Sequence, residues 1–296
     1  MGEGGGTARA ERLALGALLA GAVGIAFAPI FVRWSEAGPT ATAFWRLALA
    51  APLMWLFSAR ERGARRPADA RQALRLLLPG VFFAADLGVW HWSIKYTTVA
   101  NATLLANFAP VFVTLGGWLV FGRGFGRLFL GGMALALGGA TLLVSESLRI
   151  TPANAFGDAL GLLTAVFYAS YILAVSQVRA DYSTATVLAW SASAAALLLL
   201  PVCFLSGERL LPESGTGWLV LVGLALVSHV GGQGLIAYAL RHLPAAFSSV
   251  TLLVQPVGAT LLAWLFFAER IGGLQATGAA VVIGGILVAR RGSRRR

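Results

Sequence analysis

Residues 100–142 read ANATLLANFAPVFVTLGGWLVFGRGFGRLFLGGMALALGGATL, and residues 246–288 read AFSSVTLLVQPVGATLLAWLFFAERIGGLQATGAAVVIGGILV. Slid forward by the 146 positions that separate Pro110 from Pro256, the first stretch lies on the second without a gap. Thr114 falls on Thr260, Trp118 on Trp264, Phe121 on Phe267 and Leu128 on Leu274. Gly132 falls on Gly278, and Gly138 and Gly139 fall on Gly284 and Gly285. A repeat of this length is a duplicated structural unit, and its period is far too long for a solenoid.

The unit is almost wholly apolar, which places the duplication in a membrane protein. The chain is 58% hydrophobic and 12% charged, with mean hydropathy +0.78, whereas a soluble domain carries roughly 25% charged residues. A helix needs about 20 mostly apolar residues to cross a bilayer. Ten runs qualify: 13–32, 40–57, 76–94, 99–120, 128–144, 159–178, 187–205, 218–240, 247–267 and 274–289. Unbroken apolarity at this length means helices, since barrel strands alternate and are half as long. The expected fold is therefore all-α and integral to the membrane, with ten transmembrane helices.

A net charge of +11 could suggest a nucleic-acid partner, but the basic residues sit between and outside the runs, where orientation signals sit. With the N-terminus inside, 17 Lys and Arg fall inside and only Arg33, Lys95, Arg149, Arg209 and Arg270 fall outside; Arg46 is left within a span. Both termini are expected in the cytoplasm, with the protein multi-pass in the inner (plasma) membrane and lipid, not nucleic acid, around it. The run 13–32 is read as a span rather than a cleaved signal peptide, because its removal would break the symmetry of the repeat. The single cysteine, Cys203, has no intrachain disulfide partner and is expected to pack.

Each unit, 1–150 and 151–296, holds five spans. Five is odd, so the second copy enters the membrane from the opposite side. The charges agree: Arg123 and Arg127 follow the fourth span inside, while Glu269–Arg270 follow the ninth outside and nearly cancel. Two inverted five-helix repeats are a hallmark of secondary transporters. Pro110 and Pro256 each free a backbone carbonyl and kink their helix. Two kinks at equivalent depth point to a cavity between the fourth and ninth spans. The glycines repeated in the fifth and tenth spans, and Gly16, Gly21 and Gly24 in the first, are read as close-packing positions.

These residues resemble the ten-span EamA branch of the drug/metabolite transporter superfamily. The second repeat carries its characteristic stretch as Gln255-Pro256-Val257, Phe267-Ala268-Glu269-Arg270, Gly278 and Gly284-Gly285. The first answers with Ala109-Pro110-Val111, Phe121-Gly122, Gly132 and Gly138-Gly139, and departs at Arg123, where the family usually has glutamate. Phe44-Trp45-Arg46 resembles the arginine-bearing second span of the family. The resemblance implies export of amino acids, other metabolites or toxic compounds. The membrane-embedded glutamate that small four-span drug exporters carry in their first span has no counterpart, since 13–32 holds no acid.

An ionisable group in mid-membrane costs about 2.5–3.5 kcal/mol on insertion scales, so it needs a partner or water. Asp86, near the middle of the third span, and Arg46, in the second, are either a proton or cation site or a structural ion pair. His91 is either a proton relay or, as expected here, a hydrogen-bonded histidine at the interface within an aromatic belt. His229 and Gln233 share a helix face in the eighth span, beside Gly232, the repeat partner of Asp86. The polar stripes are Thr103 and Asn107; Ser248, Thr251 and Gln255; and Thr164, Tyr168 and Tyr171. A polar cavity lined by Trp90, Asn107, Tyr168, Tyr171 and Gln255 could hold a zwitterion through amides and hydroxyls. No nucleotide loop, nucleophile–base set or zinc motif is present, so neither an enzyme nor a bound cofactor is expected. The expected function is secondary export of amino acids or related small molecules, the alternative a proton-coupled drug or cation exporter.

Overall fold

The computed structural model describes residues 3–148 and 151–293. Arg149, Arg294, Arg295 and Arg296, counted above as orientation signals, lie outside the described residues. The described residues form ten helices long and apolar enough to cross a membrane: Arg9–Trp34, Pro39–Arg60, Ala70–Tyr96, Val99–Leu119, Arg127–Ser147, Pro152–Val178, Thr184–Ser206, Gly215–Ala239, Ala245–Phe267 and Gly273–Ser293. They are numbered here as spans one to ten.

Local chemistry sets the span ends. Asp69 accepts a hydrogen bond from the Gln72 backbone N–H (2.7 Å) at the start of span three, and Thr98 accepts from that of Asn101 (3.1 Å) at span four. Ser183 accepts from Thr186 (3.2 Å) at span seven and Ser214 from Gly217 (2.9 Å) at span eight. Each cap satisfies a backbone donor that the helix cannot, for about 1 kcal/mol.

The packing follows the repeat. Span three lies along span six as span one lies along span eight; span five pairs with its own repeat partner, span ten, and span two with span seven. The five–ten seam is backbone against backbone. A Cβ added at Gly132 would sit 2.3 Å from the Ala289 nitrogen, and one at Gly285 would sit 2.4 Å from that of Ala136. Gly139 and Gly278 meet the opposite helix at 2.5 and 2.6 Å. Gly131, Gly138 and Gly284, and Gly16 in span one, have open space where a Cβ would go, so close packing does not account for them. Gly21 and Gly24 do pack closely, on Gly232. Because backbone cannot yield as a side chain does, Gly132→Leu or Gly285→Leu should abolish the monodisperse folded peak in detergent, while Gly138→Leu should leave it, as size-exclusion chromatography will show.

The proline sites break spans four and nine at equivalent points. Span four is helical over Val99–Ala106 and again over Ala109–Leu119; span nine over Ala245–Thr251 and Val254–Phe267. After each break a threonine hydroxyl donates to the proline carbonyl: Thr114 to Pro110 (2.7 Å) and Thr260 to Pro256 (3.0 Å). Span eight departs from its repeat partner, for it is π-helical over Leu224–Gln233, whereas span three is α-helical throughout.

The repeat also relates Arg33 to Arg179, at the ends of spans one and six. Arg33 pairs with Glu269 and lies over the Phe267 ring. The repeat partner of Glu269 is Arg123, so that pair forms at one face only. Arg179 instead is buried and donates to the carbonyls of Ala237 (3.0 Å) and Tyr182. Burial, with Arg241 adding to it, holds the Arg179 guanidinium down at about 10. Cys203 is buried against Ala37 and Ala41, in a packing position.

Candidate functional site

A polar cluster lies in the interior of the bundle, built by five spans from both repeats. Phe83 of span three is its hub. The Phe83 ring stacks on Tyr171 of span six (4.7 Å between centroids) and on His229 of span eight (5.9 Å). The Arg46 guanidinium of span two lies 5.8 Å from the centre of that ring. Tyr168 stacks beside Tyr171 at 6.1 Å. The Tyr171 hydroxyl faces Gln233, and the Tyr168 hydroxyl faces Gln255 of span nine. Asp86 is one turn along span three from Phe83 and buried, close enough to Arg46, Tyr168 and Tyr171 to act on them electrostatically.

The cluster is short of partners. Among the described residues, the buried side-chain atoms without a hydrogen bond are Arg46 Nε, both ring nitrogens of His229, Gln233 Oε1, Ser248 Oγ and Gln255 Nε2. Buried polar atoms are almost always bonded, and each orphan costs about 1–3 kcal/mol. Five of these six atoms belong to the cluster; the sixth, on Ser248, is two turns before Gln255 on span nine.

The paired breaks flank the cluster. Between spans four, six and nine lies a cavity of about 20 Å³, lined by Asn107, Pro110, Tyr168 and Gln255 among others. That is room for about one water molecule. A larger cleft of about 260 Å³ opens at the rim between spans one, nine and ten, lined by Arg33, Thr260, Glu269 and Gln275. Its charges are exposed and Arg33 and Glu269 satisfy each other, so the unsatisfied chemistry lies in the interior cluster, not in the roomier cleft.

Several expected site residues are placed otherwise. Arg46 and Asp86 form no ion pair; the ion pairs among the described residues are Arg33–Glu269, Arg65–Asp181 and Arg209–Glu213. The guanidinium is held over Phe83 instead, which keeps the two charges apart. The Trp90 ring meets His91 at 5.1 Å. His91 is buried, its Nδ1 2.7 Å from the Leu87 carbonyl of its own helix. Thr164 and Thr251 turn their hydroxyls back to the carbonyls of Leu160 and Phe247. Asn107 lines the cavity while its amide donates to Thr103 O (2.9 Å). Pro256 is not in the cavity wall, whereas Pro110 is. Sequence reasoning missed Phe83, which looks like any other aromatic in an apolar run. Its only signal is its spacing, three residues before Asp86 on the same helix face.

Residues 12–145 and 155–291 each match the EamA-like transporter family. The chain belongs to that family. It is 27% identical to the pseudopaline exporter CntI of Pseudomonas aeruginosa over 278 residues, 92% of this chain and 95% of that one. It is 27% identical over 266 residues to an uncharacterized transporter of Archaeoglobus fulgidus, covering 87% and 90%. A probable terminal-alkyne amino-acid exporter of Streptantibioticus cattleyicolor is 26% identical over 232 residues, covering 77% and 76%. A solved crystal structure superposes with a TM-score of 0.77 at 20% identity, covering 95% of this chain and 98% of the other; at that identity it speaks to the fold alone. The protein is thus a multi-pass membrane transporter acting on a small molecule, built as two inverted five-helix repeats.

Proposed function

We propose that this EamA-family protein is a secondary transporter that exports amino acids or related small metabolites by alternating access. The observation that carries this reading is the collection of unpartnered buried polar atoms from both repeats, beside two helices broken at equivalent depth. A ligand that supplies the missing partners binds there, and the breaks give spans four and nine a place to flex. A cavity of about 20 Å³ holds no metabolite, so loading requires the halves to part. The named relatives, an exporter of pseudopaline and a probable exporter of an amino acid, favour the same class.

The second reading is proton-coupled export of cationic drugs, and Asp86 is the observation in its favour. Arg46 weighs against it, because a buried guanidinium in the same cluster repels a cationic ligand. Purified protein in liposomes, offered radiolabelled amino acids, purines and cationic dyes with and without a pH gradient, separates the two. Transport of amino acids or purines and not of dyes is expected; transport of dyes alone would sink the metabolite reading.

The units 1–150 and 151–296 are the inverted halves, and both termini lie in the cytoplasm with the chain in the inner membrane. The motive is the 17-to-5 asymmetry of Lys and Arg. A fluorescent reporter fused after Arg296 should fold and fluoresce, whereas an alkaline phosphatase fusion there should be inactive. Active phosphatase at that end would reverse the topology.

A further inference from the structure

We infer that Arg46 is the anchor for a substrate carboxylate, so that the transported molecules are acids or zwitterions and never simple amines. The inference rests on the reading of the interior cluster as the substrate site, and adds to it the group that the site reads.

Arg46 is about nine-tenths buried and its Nε has no partner. It lies over Phe83, not against Asp86, so no acid among the described residues neutralises it by contact. A guanidinium presents its donors in a planar fork that a carboxylate fits with two parallel bonds. Beside it, on the same Phe83 ring, His229 is almost wholly buried with both nitrogens unpartnered. Whichever tautomer it adopts, one ring nitrogen is a donor without an acceptor. Two unpartnered donors on one aromatic ring, the Arg46 Nε–H and a His229 N–H, offer a carboxylate two hydrogen bonds.

The complementary pole is also present. Gln233 offers an unpartnered buried carbonyl oxygen, opposite the Tyr171 hydroxyl. An ammonium one carbon removed from a carboxylate, as in an α-amino acid, meets an acceptor there. A simple amine would satisfy Gln233 but leave the buried Arg46 guanidinium without a contact partner, since Asp86 acts on it only at a distance, and a buried charge short of contacts is costly. Selection against amines therefore comes from the protein's own unmet charge.

The test uses the full-length protein in nanodiscs. The probes are the twenty L-amino acids and, for each, the amine lacking the carboxylate and the carboxamide. Binding is read as thermal stabilisation over a concentration series. The expected result is that a subset of the acids stabilises, with the matching amines and carboxamides at least about tenfold weaker. Arg46→Gln should weaken the acids by a similar factor and remove the discrimination, and Arg46→Lys should recover part of both. Gln255→Leu is the control for the site itself and should weaken acids, amines and amides alike. If the acids bind and Gln255→Leu weakens them, but Arg46→Gln does not, the site stands and the carboxylate role of Arg46 falls. Equal affinity for acids and amines has the same meaning. If neither Gln255→Leu nor Arg46→Gln changes the binding, the ligand sits elsewhere and the reading of the cluster falls with the inference. Should Arg46→Gln fail to fold, the acid–amine comparison on the unaltered protein and on Arg46→Lys decides the matter, and absence of stabilisation by every acid overturns it.

Discussion

If transport is proton-coupled, Asp86→Asn is expected to abolish the effect of a pH gradient on transport while leaving exchange of substrate for substrate in place. The argument begins with cost. A carboxylate in the middle of a span is penalised by about 2.5–3.5 kcal/mol on insertion scales when charged. The protein offsets little of that by contact, since Asp86 makes no ion pair with Arg46. Under the alternating access proposed above, such a group is sensitive to which side has access to it, because water and protons would reach it in one conformation and not in the other. A carboxyl that gains a proton facing one side and loses it facing the other converts a proton gradient into net movement. Asparagine keeps the volume and removes the titration. Gradient-driven flux in liposomes should fall on the order of tenfold or more, to its level without a gradient, while counterflow of labelled against unlabelled substrate persists. Asp86→Glu should retain coupling. An Asp86→Asn protein with normal flux and an unaltered pH profile would reduce Asp86 to a structural residue.

Much of this architecture was legible before any coordinates, because the membrane imposes a simple rule. Every backbone group must be satisfied within the lipid, so apolar runs of helical length can only be helices. The offset of 146 residues then fixes which spans are equivalent, but that span five packs on ten, and three on six as one on eight, only the structure shows. Polar residues in apolar runs were legible too, since Asp86, Arg46, His229 and Gln233 stand out against leucine. What they touch was not. The spacing of Arg46 and Asp86 on neighbouring antiparallel helices allows an ion pair, and only the placement of Phe83 under the guanidinium shows the pair unmade. The π-helical stretch Leu224–Gln233 follows no period that its composition announces. Adjacent glycines such as Gly138 and Gly139 are equivalent in sequence, yet one faces backbone at 2.5 Å and the other open space; the difference is a rotation of about 100° about the helix axis.

Cysteines placed at 107 and 255 in a Cys203→Ala background are expected to react with a small aqueous thiol reagent and to be protected by excess substrate. Both positions line the small cavity between spans four, six and nine, next to the helix breaks before Pro110 and Pro256. They come from opposite repeats, so a ligand that protects both must sit between the halves. The competing reading is that each amide only bonds its surroundings. Asn107 does bond its own helix at Thr103 O (2.9 Å), but Gln255 leaves Nε2 unpartnered and faces Tyr168. A group kept for packing is satisfied by its neighbours; a group kept for a ligand is left short until the ligand arrives. Gln255 should therefore be the more sensitive of the two. Gln255→Leu is expected to lower transport by roughly tenfold, the loss of one or two hydrogen bonds to a charged or polar ligand, with little change in the amount of folded protein, because leucine fills nearly the same volume. The small size of the cavity also sets a condition on the labelling. With room for about one water molecule, reagent reaches the site only when the halves part, so labelling should be slow and should accelerate under conditions that drive turnover. Labelling at both positions that substrate does not slow, or none at all in a protein that still transports, would place the substrate somewhere other than between Asn107 and Gln255.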